Sequence, residues 1–185
     1  MRYAQFEELN TPRLHLRKIR MEDASAYYTH LGSSADVTKY MLFQPHQDIS
    51  DAVSSIEKNL RRYETGRNYR WVIAKKETDE LMGVIDLLGF NEEESRCSFA
   101  YMLGKSFWDR GYGTEALEAV FTFAFEKMEM KRIEADHFAG NAASGAVMRK
   151  VGMVCTGSVS RKYEKDGIFH DAPQYVITRQ QWLTR

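Results

Sequence analysis

Three observations predict an α/β fold for this chain. Strand-like segments alternate with amphipathic helices, one strand passes through a glycine-bearing turn straight into a helix, and the chain closes on two strand segments joined by a turn. The count of strand segments predicts a sheet of about seven strands flanked by helices. A length of 185 residues fits one hydrophobic core, so a single domain over 1–185 is expected.

Composition narrows the partners. Lys plus Arg and Asp plus Glu are 26 each, for a formal charge of zero, which supplies no global drive towards nucleic acid or a membrane surface, and neither is expected as a partner. Cys97 and Cys155 are isolated and lack CxxC spacing, so both are expected as small core hydrophobes and no metal site is expected. The N-terminal stretch has no apolar core of signal-peptide length, and no run approaches about 20 apolar residues, making the cytoplasm the expected location.

The first strand is expected over Leu14 to Arg20, entered after Pro12. Asp23 then opens a short helix carrying Ala24, Tyr27, Tyr28 and Leu31, with Gly32 to Ser34 as its stop. Ile49, Val53, Ile56, Leu60 and Tyr63 repeat at intervals of four and three, predicting a second helix with Asp48 or the Ser50-Asp51 pair near its cap and Gly66 beyond its end. Lys39 to His46, between them, is rich in aromatic and methionine residues without a period, and either lines a pocket or packs. Tyr69 to Ala74 and Leu81 to Leu88 read as a hairpin, and Cys97 to Leu103 as the next strand.

From Thr114 onward Leu117, Val120, Phe121, Ala124 and Phe125 share one face, so a helix begins close to Gly113 and ends around Lys127 to Met130. Gly111 and Gly113 remove side chains where backbone N–H groups converge at the positive end of that helix, a geometry that suits a phosphate or pyrophosphate. Taken alone, the pair of glycines equally suits a strand-to-helix turn. Arg132 to Phe138 alternates as a strand, with Ile133, Ala135 and His137 on one face. Asn141 caps a short helix over about Ala142 to Val151, and Gly152 ends it. Met153 to Tyr163 and Asp171 to Thr178 form a terminal hairpin that runs on to Trp182.

In this order, the stretches Thr11-Pro-Arg-Leu-His-Leu-Arg17, Phe107-Trp-Asp-Arg-Gly-Tyr-Gly-Thr-Glu-Ala-Leu117 and Asn141-Ala-Ala-Ser-Gly-Ala-Val-Met-Arg-Lys-Val-Gly-Met153 resemble the opening strand, pyrophosphate motif and second coenzyme motif of the GNAT N-acetyltransferases. More narrowly they resemble the RimJ/RimL-like branch, which contains the N-terminal acetyltransferases of ribosomal proteins. The resemblance runs from about Thr11 to the end. It implies a mixed, twisted sheet and acetyl-CoA as co-substrate, without a metal. It further implies that Met102, Leu103, Arg110, Gly111, Tyr112, Gly113, Thr114, Asn141 and Ser144 hold the coenzyme. A slot between the strand ending near Leu103 and the strand beginning at Arg132 would take the pantetheine arm.

Acetyl transfer to an amine needs an uncharged nitrogen, oxyanion stabilisation and a proton for the departing thiolate. The resemblance implies direct attack in a ternary complex, with the Leu103 N–H as oxyanion donor. Candidates for proton handling are Asp86, Ser98 through water, Glu134, His137 and Tyr163. His137 equally reads as a packed core residue and Glu134 as a partner of Arg132. Three positions depart from the family pattern. Met148 stands where many members carry a tyrosine acid and reads as core, and Ser98 stands where relatives often carry Glu. Trp108 replaces the usual Gln or Arg three residues before the first glycine.

Tyr27, Tyr28, Tyr40, Phe43 and Trp71 are candidates for an aromatic acceptor wall or for ordinary packing. The acceptor class implied is a protein or peptide N-terminal α-amine, including a ribosomal protein. A small amine such as an antibiotic, polyamine or amino-acid derivative is the close alternative, and a non-catalytic acyl-CoA-binding domain is a third reading. A monomer or homodimer is expected.

Overall fold

The computed structural model describes residues 3–65 and 68–185, so the expected helix stop at Gly66 lies outside the described residues. Eight strands form one sheet: β1 Leu9–Asn10, β2 Leu14–Arg17, β3 Tyr69–Lys75, β4 Leu81–Asn91, β5 Arg96–Leu103, β6 Arg132–Asp136, β7 Val154–Lys165 and β8 Ile168–Thr178. Their spatial order is β1-β2-β3-β4-β5-β6-β8-β7. All neighbours are antiparallel except β5 and β6, which run parallel. A parallel pair needs a crossover, and the helix that supplies it follows the glycine-bearing turn.

The helices are α1 Ala24–Tyr27, continuing as a π turn over Tyr28–Gly32, α2 Ala35–Thr38, α3 Ile49–Glu64, α4 Tyr112–Thr122, continuing as a π turn over Phe123–Lys127, α5 Ala142–Lys150 and α6 Arg179–Leu183. Asp48 caps α3, its carboxylate accepting from the Ser50 N–H at 2.7 Å. Strand alternation divides the core between the two faces of the sheet. On one face Leu16, Trp71, Ile85, Cys97, Phe99 and Ile133 pack under Leu117, Val120 and Phe121 of α4 and Met148 of α5. On the other Val72, Ala74, Val84 and Met102 pack against Tyr27, Leu31 and Ile56. Met148 is core, as its apolar setting implied. Cys97 is fully buried, and that burial pushes its thiol up to about 12.

The structure corrects several expectations. The first strand stops at Arg17 rather than Arg20, because the Arg17 guanidinium makes a buried two-pronged pair with Asp23, 2.9 Å for each bond, and Asp23 also accepts from the Arg20 N–H at 2.8 Å. That carboxylate turns the chain out of the sheet. A two-residue strand at Leu9 brings the count to eight, one more than the segments counted in the sequence. Cys155 is exposed, since β7 is the sheet edge and most of its residues face solvent. Trp182 leaves the hairpin for α6, where its ring packs on Phe121 and Phe125. Trp71 is fully buried, stacked on Phe6 at 5.1 Å, and belongs to the core under α4 rather than to an acceptor wall.

Candidate active site

The parallel pairing of β5 and β6 covers only Arg96 to Ser98 against Arg132 to Glu134, after which the strands part. The Gly104 N–H donates to the Met82 carbonyl at 2.8 Å, which makes the even-numbered positions of β5 its hydrogen-bonded partners to β4. Alternation then turns the N–H groups of Tyr101 and Leu103 into the gap. The Leu103 carbonyl accepts from the Trp108 indole N–H at 2.6 Å, fixing the end of β5. Trp108, whose difference from the family pattern left its role open in the sequence, is thus a brace for the strand end.

This gap widens into a cleft of about 1110 Å³. Among the residues named from the sequence, Ser98, Met102, Leu103, Gly111, Tyr112, Gly113, Thr114, Glu134, His137, Asn141, Ser144 and Tyr163 line it. Arg110 does not. Its carbonyl accepts from the Arg13 guanidinium at 3.0 Å, and its side chain is exposed. Asp86 is also outside the main cleft. It lines an adjoining pocket of about 500 Å³ and is held by Arg70 through bonds of 2.5 and 2.8 Å.

At the head of α4, Asp109 and Gly111 both have left-handed backbones, with φ of 57° and 80°. Gly111 is the N-cap and no side chain caps the helix, so the amides of its first turn stay available to an anion. Glu115 steadies this turn. Burial opposes its ionisation, but hydrogen bonds from Thr11 and Arg13 and the charge of Arg13 outweigh that and hold its carboxyl below the usual value. At the head of α5, Asn141 Oδ1 accepts from the Ser144 N–H at 3.2 Å. Burial pushes the Tyr101 phenol up in pKa, with the Ser144 hydroxyl partly opposing it.

The proton-handling candidates differ in how firmly they are held. Glu134 is in ion-pair contact with Arg132 at 2.7 Å and accepts from Arg96 at 3.1 Å. The His137 ring donates from Nδ1 to the Phe138 carbonyl at 2.7 Å, and its Nε2 is buried without a hydrogen-bond partner among the described residues, beneath Gly145 of α5. Tyr163 stacks on Phe138 at 4.7 Å and donates its phenol proton to Asp136, and burial followed by that carboxylate raises its pKa. Asp136, absent from the sequence candidates, also pairs with Lys162. Alternation alone could have flagged it, since it shares a face with Glu134.

Among the described residues no helix is long and apolar enough to cross a membrane, and no group of three or more His, Cys, Asp or Glu side chains is placed to hold a metal ion.

A strand pair that parts beside two helix N-termini defines an acyl-CoA N-acyltransferase fold, and residues 13–154 match the family model of the acetyltransferase (GNAT) domain. The chain belongs to the GNAT family and is an acetyl-CoA-dependent N-acetyltransferase. It is 33% identical over 159 residues to the uncharacterized N-acetyltransferase p20 of Bacillus licheniformis, covering 86% of this chain and 88% of that one. It is 29% identical over 174 residues to the uncharacterized N-acetyltransferase YoaA of Bacillus subtilis, covering 94% and 98%. Among solved structures, the RimL ribosomal L7/L12 alpha-N-protein acetyltransferase in complex with coenzyme A superposes with a TM-score of 0.82 at 19% identity, covering 93% of this chain and 98% of that one. That likeness shows the fold.

Proposed function

We propose that residues 1–185 form a single acetyltransferase domain that acetylates a primary amine, most specifically the N-terminal α-amine of a protein or peptide such as a ribosomal protein. The observation that carries this reading is the open mouth of the cleft opposite α4 and α5. Leu42 is 65% exposed and Leu88 43% exposed there, with Phe43 beside them, an apolar rim suited to an extended chain whose end reaches the slot. The ribosomal substrate in the name of the RimL structure agrees with it. A small amine is the second reading, favoured by the adjoining pocket with the Arg70–Asp86 pair at its wall.

Bound acetyl-CoA supplies the acetyl thioester and the thiolate leaving group. In this reading the backbone amides at Gly111 to Thr114 grip its pyrophosphate, with Arg110 contributing its backbone alone. Tyr101 to Leu103, Asn141 and Ser144 order the pantetheine arm. The Leu103 N–H, held in place by Trp108, faces the developing oxyanion. The acceptor nitrogen adds to the acetyl carbonyl to form the C–N bond, and the C–S bond breaks as the tetrahedral oxyanion collapses. Its surplus proton leaves through water ordered by Ser98 or through Glu134 or His137, and with the Tyr163 phenol proton engaged by Asp136 the departing thiolate takes its proton from water.

A coenzyme A release screen over N-terminal peptides and small amines tests the reading, followed by Asp86→Ala, Glu134→Ala and His137→Ala on the best acceptor. Faster release with peptides than with any small amine is expected. Preference for a small amine by more than about tenfold in kcat/KM would favour the second reading. If none of the three variants changes kcat/KM beyond about tenfold, the proton leaves by a water or substrate-assisted route.

A further inference from the structure

The coenzyme motifs flank the cleft on the face of the sheet covered by α4 and α5, so an acceptor must reach the slot from the opposite face. On that face three carboxylates project from β4 and β6, namely Asp86, Glu134 and Asp136. An amine arriving at neutral pH is an ammonium ion, and each carboxylate is a possible receptor for it. Two of them are already satisfied by arginine. Asp86 takes two bonds from Arg70, and Glu134 lies between Arg96 and Arg132. A guanidinium is always charged and holds a carboxylate in a fixed fork, so replacing it with a single ammonium loses geometry and bonds together.

Asp136 is different. Its Oδ1 receives the Tyr163 phenol, a partner fixed by the stack on Phe138, while among the described residues its Oδ2 receives only the ammonium of Lys162. The Asp136 side chain is 15% exposed and that of Lys162 33% exposed, so the cation sits at the solvent edge of a carboxylate that is itself mostly enclosed. Lysine reaches Asp136 on a flexible stem and as a compact point charge without a fixed fork, so an incoming ammonium can take its place. Asp136 is paired to Gln174 of β8 on one edge, but its other edge lies past the last pairing with β5, beside the slot.

We propose that Asp136 is the receptor for the acceptor's ammonium group and that Lys162 occupies that receptor until the acceptor displaces it. The acceptor class is therefore a primary ammonium on an unbranched or extended chain, arriving as the Lys162 side chain does. The inference rests on the amine-acceptor reading and narrows it, assigning the recognition of the acceptor to one oxygen, Oδ2 of Asp136. Tyr163 holds the other oxygen and so sets the direction in which Oδ2 points.

The test compares Asp136→Asn, Lys162→Met and the double variant with the unaltered chain, reading acetyl-CoA affinity by calorimetry and the amine KM by coenzyme A release. Affinity of the amine for the enzyme–coenzyme A complex is measured alongside, using the fastest peptide of the screen or n-butylamine if none turns over. Acetyl-CoA affinity within about twofold of the unaltered chain shows that each variant is folded. Asp136→Asn is expected to raise the amine KM and weaken amine binding about tenfold or more, while Lys162→Met lowers the KM and tightens binding about threefold or more by removing the resident cation. In the double variant the gain from Lys162→Met should vanish. Unchanged amine affinity in Asp136→Asn, or weaker amine binding in Lys162→Met, overturns the proposal. A chain that binds n-butylamine as described but acetylates no amine retains this receptor and contradicts the proposed function instead.

Discussion

The guanidinium of Arg13 meets the carboxylate of Glu115 at 2.7 Å, tying the entry of β2 to the first turn of α4. The same guanidinium lies over the Tyr112 ring at 4.5 Å and bonds to the Arg110 carbonyl, so one side chain braces three residues of the coenzyme turn. Arg13 is 48% exposed, and the pair's stability contribution is accordingly discounted to about 1 kcal/mol or less. Its larger effect is on order. Arg13→Met is expected to weaken acetyl-CoA binding about three- to tenfold by calorimetry while leaving the urea midpoint nearly unchanged.

Glu115 adds a pH signature. Its folded carboxyl titrates below its ordinary value, so its contribution is fully present above about 4.3 and is lost as the pH falls through the lower folded value. The stability difference between the unaltered chain and Glu115→Gln should therefore be largest near neutrality and shrink in acid. Urea unfolding at pH 7 and at pH 4 and below checks this, and a difference that grows towards acid would contradict it.

Alanine at Gly111 and at Gly113 should move stability in different directions while both weaken coenzyme binding. At Gly111 the φ of 80° strains any side chain by about 1–2 kcal/mol, and a Cβ would stand 3.4 Å from Arg13, so Gly111→Ala should lose both stability and coenzyme affinity. At Gly113 the backbone is helical and the nearest neighbour of a Cβ is Tyr101 at 3.6 Å, an ordinary contact. Gly113→Ala should hold or raise stability, with helix propensity favouring alanine by about 1 kcal/mol, yet lose affinity because its methyl occupies the cleft floor. Urea melts with acetyl-CoA titrations separate the two patterns.

In α5, alanine at Gly145 would place a Cβ 2.8 Å from His137 Nε2 and 3.0 Å from the Tyr175 hydroxyl. Overpacking costs about 1–3 kcal/mol, more than the roughly 1 kcal/mol gained by replacing a helical glycine, so Gly145→Ala should destabilise the chain. With His137→Ala the main obstacle is gone and the same change should be much less costly. A double-mutant cycle in urea reads the coupling directly.

The loop that carries Tyr40, Met41 and Leu42 to the cleft mouth is pinned from the far hairpin. The Lys165 ammonium donates to the Thr38 carbonyl at 2.7 Å and the Met41 carbonyl at 2.6 Å, and the Gln44 amide donates to Asp166 at 2.7 Å. Lys165→Met should speed amide exchange across residues 39–44 and raise the amine KM more than it changes acetyl-CoA affinity. Unchanged exchange in that loop would show that packing alone positions it.

The donor half of the site was legible because its signals are local. Gly111, Gly113, the helical stripe after Thr114 and the Asn141 cap all report the backbone conformation of their own neighbourhoods, and the structure brings them to one cleft. The acceptor half depends on pairings distant in sequence. Asp136 meets residues on β7, Asp86 meets Arg70 across a hairpin, and Lys165 reaches α2, none of which spacing along the chain records. The end of the strand at Leu14 is hidden in the sequence for a related reason, since the buried Arg17–Asp23 pair that ends it reads there as two solvated charges. Cys155 reads in sequence as core because strand order, which puts β7 at the edge of the sheet, is not recorded in its local sequence.

Amide hydrogen exchange with and without acetyl-CoA tests the central claim most directly. The account expects at least about tenfold slower exchange at Tyr101, Leu103 and Gly111 to Thr114 on binding, with the exposed β7 residues Cys155 to Ser160 unchanged. Protection confined to other segments, with these amides exchanging as before, would contradict it.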